Sequence, residues 1–295
     1  MTNTLFITGA TGTIGRAVVE ELAAAGADYR VCTRDPEKLQ ALRENGHPGA
    51  VADFADPASV AAAIEGADVV FLLSSQHPDQ ATLQGNVVTA ATDAGVRHIV
   101  KVSGGSAVTG PSTGSFVGAM HAQTERQIVD SGIGWTFVRP NYFMQNLLNL
   151  ADPIRNGKLP VPLGHQRMAI VDARDVGAVA AAILRDPDLH TGMAYDVTGA
   201  EALDFAEIAR RLGAALGHEV THVAPPLDGA VEALRAKGAP DWLQRHFAEI
   251  MTIFGSDASV AKPTSVVRDL TGRPPRRIED FAADHASALG LEAVR

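Results

Sequence analysis

Gly9, Gly12 and Gly15 stand at three-residue spacing in Leu5-Phe6-Ile7-Thr8-Gly9-Ala10-Thr11-Gly12-Thr13-Ile14-Gly15, directly behind a short apolar run. Ala17, Val18, Leu22 and Ala25 follow at helical spacing, so a helix is expected over Arg16 to Ala25. A strand, a tight turn and a helix start make an anion site: bare N–H groups and the positive end of the helix dipole face a phosphate. Gly9 suits the sharp turn, Gly12 leaves a pyrophosphate room to approach, and Gly15 lets helix and strand pack closely. Backbone N–H groups around Gly9, Thr11, Gly12, Thr13 and Ile14 are the expected pyrophosphate contacts. No Lys-Ser or Lys-Thr follows the third glycine, so a phosphoryl-transfer loop is not indicated.

Further chemistry-bearing residues fall where strands are expected to end. Thr33-Arg34-Asp35-Pro36 closes the second strand. An arginine there pairs with an adenosine 2′-phosphate and favours NADP(H), whereas Asp35 at the ribose would allow NAD(H). Asp53-Phe54, after the third strand, is placed to meet the adenine edge. Ser74, Ser75 and Gln76 follow the fourth strand and Ser103 the fifth, near the expected ribose, pyrophosphate and nicotinamide; a plain turn role for each serine stays open. His121 and Glu125 are four apart on one expected helix and share a face. His121 is a candidate proton donor to a carbonyl or quinone oxygen, with Glu125 orienting or charging it; activity is then expected to fall as pH rises through the histidine's apparent pKa, the unperturbed reference being about 6.5. A plain surface pair is the alternative. His47 and His165 fall in loops and are expected to be solvated.

These residues need a frame. Strands are expected at Tyr29–Thr33, near Ala50–Ala52, at Val69–Leu73, His98–Val102 and Trp135–Arg139, separated by helices that start at Pro36 and Pro57 and span about Asp79–Ala94 and Phe116–Asp130. A Gly-, Ser- and Thr-rich loop covers Ser106–Ser115. This alternation implies a doubly wound parallel α/β sheet of Rossmann type, with ligands beyond the carboxyl ends of its strands. After Pro140 the pattern changes. A helix and a Pro/Gly-rich loop are expected over Asn141–Gln166, a short strand at Ile170-Val171, a helix over Asp172–Leu184 and a strand at Ala194–Val197. Helices follow over Asp204–Leu216, Asp228–Lys237, Trp242–Phe254 and Ile278–Leu289. The expected division is a dinucleotide-binding domain over residues 1–140 and a mostly helical substrate-binding part over 141–295, with about 168–200 returning to the sheet.

The 295 residues are 46% hydrophobic and 20% charged, a globular composition. Net charge is −9, which disfavours a nucleic-acid partner. No apolar run is long enough for a membrane span and no secretion signal is visible, so a cytoplasmic location is expected. Cys32 is the only cysteine, so neither an internal disulfide nor a cysteine-rich metal site is expected.

Taken together, the glycine motif, Thr33–Pro36, Asp53-Phe54, Val102-Ser103-Gly104, His121 to Glu125, Ser131–Thr136, Arg139-Pro140-Asn141-Tyr142-Phe143-Met144-Gln145-Asn146, Asp172–Val176 and Thr198-Gly199 resemble the atypical short-chain dehydrogenase/reductases. The resemblance is to their NmrA-like, quinone oxidoreductase-like and triphenylmethane reductase-like branch, and it spans nearly the whole chain. It implies an NAD(P)H-dependent reductase passing hydride to a quinone, a dye-like cation or another conjugated acceptor. Pro140, Tyr142 and Phe143, with Met144, would then wall the nicotinamide or substrate, and the chain would act as a monomer or homodimer on small molecules. One departure matters. The superfamily's Tyr-x-x-x-Lys pair is replaced by His121 and Glu125. Two other readings therefore stay open: an NADP(H)-binding redox sensor without turnover, and a biosynthetic reductase for one ketone or enone.

Overall fold

The runs Leu5-Phe6-Ile7 and Val69-Val70-Phe71-Leu72 are wholly buried, as strands covered on both faces must be. In the computed structural model, which describes residues 3–109 and 113–291, they are β1 (Leu5–Ile7) and β4 (Val69–Leu72). Between them lie α1 (Thr13–Ala24), β2 (Tyr29–Thr33), α2 (Pro36–Glu44), β3 (Gly49–Val51) and α3 (Pro57–Ile64). α4 (Gln80–Asp93), β5 (His98–Val102), α5 (Phe116–Asp130) and β6 (Gly134–Pro140) follow. The glycine-rich loop before α5 is described only in part, since 110–112 lie outside the described residues.

Beyond β6 come a 3-10 segment (Met144–Leu150), α6 (Ala151–Arg155), β7 (Lys158–Pro160), α7 (Ala173–Arg185) and β8 (Met193–Val197). The chain ends through α8 (Phe205–Ala215), β9 (Thr221–Val223), α9 (Leu227–Ala236), α10 (Asp241–Ser256), α11 (Val266–Thr271) and α12 (Ile278–His285). The main sheet has the order β3-β2-β1-β4-β5-β6-β8, and every pairing in it is parallel. This is the expected doubly wound α/β architecture of Rossmann type. The order reverses between β1 and β4, which opens a crevice there for a ligand. Thr8 closes the base of that crevice: its hydroxyl lies 2.8 Å from the Phe71 carbonyl, and it accepts from Leu73 N at 2.8 Å.

One face of the sheet is packed by α1 and α7, through Val18, Leu22, Val176 and Val179; the other is packed by residues of α3, α4 and α5. A third core, around Leu159, Phe205, Phe254 and Phe281, holds the C-terminal elements together. Two expectations need correcting. Asn141–Gln166 is a 3-10 turn, a five-residue helix and β7 rather than one helix and a loop. Ile170-Val171 is no strand. Val171 makes a single bridge to Phe143, because Met168 three residues earlier bridges to Leu203 in the opposite sense and no ladder can extend. Among the described residues, no helix is long and apolar enough to cross a membrane.

Candidate active site

The glycine turn lies at the carboxyl end of β1. Gly9 has φ +66, and a Cβ on it would sit 2.9 Å from the Leu73 carbonyl oxygen. A Cβ on Gly15 would run into the Gly9 carbonyl, so α1 is held hard against the turn. Gly12 differs. Its φ of −83 and ψ of 171 suit any residue, and a Cβ there would meet only the Gly9 oxygen, at 3.4 Å. Space, rather than conformation, is what Gly12 supplies. α1 starts earlier than expected, at Thr13, and has neither a side-chain cap nor an acidic residue in its first turn. By contrast, α2, α3, α5, α7 and α8 are capped by Asp35, Asp56, Ser115, Asp172 and Asp204. Arg16 N donates to Gly12 O at 2.9 Å, so the N–H groups of Thr13, Ile14 and Gly15 lie free at the positive end of the helix. This turn fits the pyrophosphate of a dinucleotide.

Arg34 is exposed at the end of β2 and makes no hydrogen bond or ion pair with any described residue. Asp35 is already engaged. It accepts from Glu37 N at 3.0 Å and Lys38 N at 3.2 Å, and the Lys38 amide is the main cause of its lowered pKa. The Asp53 carboxylate accepts from Ala55 N at 3.0 Å, and Phe54 is half-buried against the core beneath β3. Ser74 accepts from Gln84 Nε2 at 2.9 Å, and Ser75 is exposed. Gln76 meets His246 of α10 at 3.2 Å. α10 also reaches the start of α5, where Glu249 accepts from Phe116 N at 2.7 Å and Arg245 lies over the Phe116 ring at 5.2 Å.

The chemistry-bearing centre lies between β5 and α5. His121 is half-buried, and its Nδ1 lies 3.1 Å from Lys101 Nζ and 3.3 Å from Gln80 Nε2. Burial first, then the charges of Lys101 and His246, push its pKa well below the ordinary histidine value. These surroundings disfavour the imidazolium that a protonated donor at this position would require. Glu125 does not charge that ring. Both its oxygens are taken by Arg139 of β6, at 3.1 Å to Nε and 2.5 Å to Nη2. Four-residue spacing put the two side chains on one face of α5, but the guanidinium fork offers Glu125 a bidentate partner.

Ser103 and Thr109, after β5, are both buried, and neither hydroxyl has a hydrogen-bond partner among the described residues. Buried hydroxyls rarely lack partners, and these two suit a ligand carrying polar groups at the strand ends. Pro140 is buried and pairs with Val197, while Phe143 is half-buried over the core beneath α1. Tyr142 stands edge-on to Phe205 and Phe254, at 5.8 and 6.0 Å, and burial pushes its phenol up to about 12. Met144 is fully inside the C-terminal core, so it is packing rather than pocket wall. The sequence reading misses Lys101, Gln80 and Gln84, and holds Arg139 only as the head of the run Arg139–Asn146. The signal for Lys101 was there: a lysine inside the apolar run Ile99-Val100-Lys101-Val102.

This geometry can be set beside known proteins. An NAD(P)H azoreductase of Xenophilus azovorans is 38% identical over 287 residues, 97% of this chain and 99% of that one. A (4-alkanoyl-5-oxo-2,5-dihydrofuran-3-yl)methyl phosphate reductase of Streptomyces griseus is 39% identical over 293 residues, 98% of this chain and all of that one. The solved NADPH-dependent quinone oxidoreductase of Escherichia coli complexed with NADPH superposes with a TM-score of 0.85 at 28% identity, covering 95% of this chain and 99% of that one. The model of the NmrA-like family matches residues 1–292. The chain belongs to the NmrA-like family.

Proposed function

We propose that this protein is an NAD(P)H-dependent oxidoreductase that passes hydride to a quinone, an azo compound, a dye-like cation or another conjugated acceptor. NADP(H) is preferred and NAD(H) accepted. The observation that carries this reading is the uncapped start of α1 at the β1/β4 switch point, with the unpaired Arg34 at the neighbouring strand end. The relatives named for azo and quinone reduction support it over nearly the full length. Bound there, the nicotinamide cofactor supplies the hydride. Thr11, Gly12, Thr13 and Ile14 bind its pyrophosphate, Arg34 its 2′-phosphate, and Asp53, Phe54, Ser74 and Ser75 line the adenosine side. Ser103 and His121 face the reacting end, with His121 donating a proton from Nε2, and Pro140, Tyr142 and Phe143 close the apolar side. The dinucleotide part is residues 1–140 completed by about 168–200. The remainder shapes the substrate pocket. The protein acts in the cytoplasm on small molecules, as a monomer or homodimer and without nucleic acid.

The test is NADPH and NADH oxidation with quinones, azo dyes, cationic dyes, enones and ketones. Turnover with conjugated acceptors, faster with NADPH, is expected. His121 and Glu125 in place of the tyrosine–lysine pair favour a second reading, a redox sensor. Stoichiometric cofactor binding without oxidation over the whole panel would establish that reading instead. Turnover confined to one enone would establish a third reading, a biosynthetic reductase; the Streptomyces relative is named as the reductase of one dihydrofuranone phosphate.

A further inference from the structure

Lys101 is an uncommon residue for its place. It sits mid-sheet on β5 with 0% exposure, flanked by buried Val100 and Val102. A lysine is rarely buried without a task for its ammonium. Its Nζ donates to Val102 O at 2.9 Å and approaches His121 Nδ1 at 3.1 Å. Gln80 Nε2 approaches the same ring nitrogen at 3.3 Å. Both neighbours are donors, so Nδ1 is the acceptor and the ring proton resides on Nε2. Nε2 has no hydrogen-bond partner among the described residues. The other charged or titratable groups facing this pair are Glu125 on α5, Arg139 on β6 and His246 on α10. Glu125 gives both oxygens to Arg139 and acts on Lys101 only through its charge.

We propose that Lys101 is the proton source behind His121, and that the Lys101–His121 pair selects for acceptors whose reduction requires a proton. The proposal rests on His121 being the proton donor. A neutral imidazole is a very weak acid on its own, and the surroundings of His121 oppose an imidazolium. The difficulty disappears if Nδ1 gains a proton as Nε2 loses one. A bound reduced nicotinamide would supply the hydride, and a carbonyl acceptor that has taken one up carries its electron pair on oxygen. That oxygen takes the Nε2 proton, Nδ1 takes a proton from Lys101 Nζ, and the ring ends as the other neutral tautomer. Lys101 is left as a buried amine, and the relay is reset in reverse: water protonates Nε2 as Nδ1 returns its proton to Lys101 Nζ. Burial lowers Lys101 to about 7, so the ammonium can give up a proton near neutral pH. A triarylmethyl cation behaves differently: hydride on its central carbon gives a neutral product and no proton is needed.

Lys101 acts through His121, as a positioning and proton-supplying residue, and its removal separates the two acceptor classes. Lys101→Met should lower kcat for a quinone by about 10²-fold, the scale of positioned acid–base groups, and leave kcat for a triarylmethyl dye within about twofold. The wild-type quinone rate should fall as pH rises through about 7, and Lys101→Met should lack that limb while keeping the wild-type KM for NADPH. Equal losses on both acceptors, or a surviving limb, would overturn the proposal. Nitrogen-15 NMR of the histidine ring gives a readout that needs no turnover. In the wild-type protein the His121 shifts should move with one midpoint near pH 7, and in Lys101→Met and Lys101→Gln they should not. Wild-type shifts that stay flat between about pH 6 and 9 would also overturn it. If no acceptor is reduced, the reductase reading fails and the NMR titration judges the Lys101–His121 coupling alone.

Discussion

Arg34 and Asp35 are sequence neighbours with opposite duties. Asp35 spends its carboxylate on two backbone amides of α2, while Arg34 is left to solvent at the strand end. Arg34→Ala should weaken NADPH binding by about 1.5–3 kcal/mol, the range for hydrogen bonds to charged groups, and leave NADH binding nearly unchanged. Titration calorimetry with both cofactors checks this, and equal losses would place the 2′-phosphate elsewhere. His98 carries a different consequence. The Thr136 hydroxyl gives its hydrogen to His190 O at 2.8 Å, so it must accept from His98 Nε2 at 2.9 Å. Burial first, then His190 and Arg97, lower this histidine to about 4. The unfolded chain takes up the proton near 6.5, so stability falls as pH drops from there toward 4 and is indifferent to His98 above it. Urea unfolding at pH 7 and pH 5 should show about 2 kcal/mol of that loss in the wild-type protein and not in His98→Gln. Residue types at strand ends were legible in the sequence because the fold fixes where ligands go. The Lys101–His121 contact was not, since it joins a strand to a helix across a glycine-rich loop and only packing brings them together.

Among the described helices, α4, α6, α9, α10 and α11 also start without a side-chain cap; what sets α1 apart is its place at the β1/β4 switch point behind the glycine turn. Its first turn is left bare beside an open Gly12. Gly12→Val should therefore leave the fold intact, by circular dichroism and thermal melting, and abolish binding of both cofactors. Native NADPH affinity in that variant would move the phosphate to another place. β4 and β5 were readable as continuous buried runs, and α5 from the length of its helical pattern. β7, β9 and α11 were not. β7 and β9 are three residues each and are strands only because they pair with each other, and α11 is six residues held by Val267 against the core beneath α1. Elements that short have no period to read, and tertiary contacts decide them.

At the scale of the whole molecule, the break after Pro140 seen in the sequence is a break in pattern, not in packing. α7 lies on α1 and β8 pairs along the length of β6, so the sheet is finished by residues from the second half. A chain ending at residue 140 should fail to unfold cooperatively in urea. A chain ending at 200 should regain part of that cooperativity by supplying both missing pieces; equally sharp transitions for 1–140 and the full chain would show the first half to be self-sufficient. The acidic balance and the alternating order were legible from the start. The position of β8 was foreshadowed only by a short apolar stretch, because its partner lies far back in the chain. That placement also sets a schedule for synthesis. β6 leaves the ribosome more than fifty residues before β8, and until β8 docks, the row of peptide groups along Thr136–Pro140 is open to any extended segment nearby. The newly made protein thus passes through an interval in which a chaperone, or simple dilution, decides between the native seventh strand and a neighbour's.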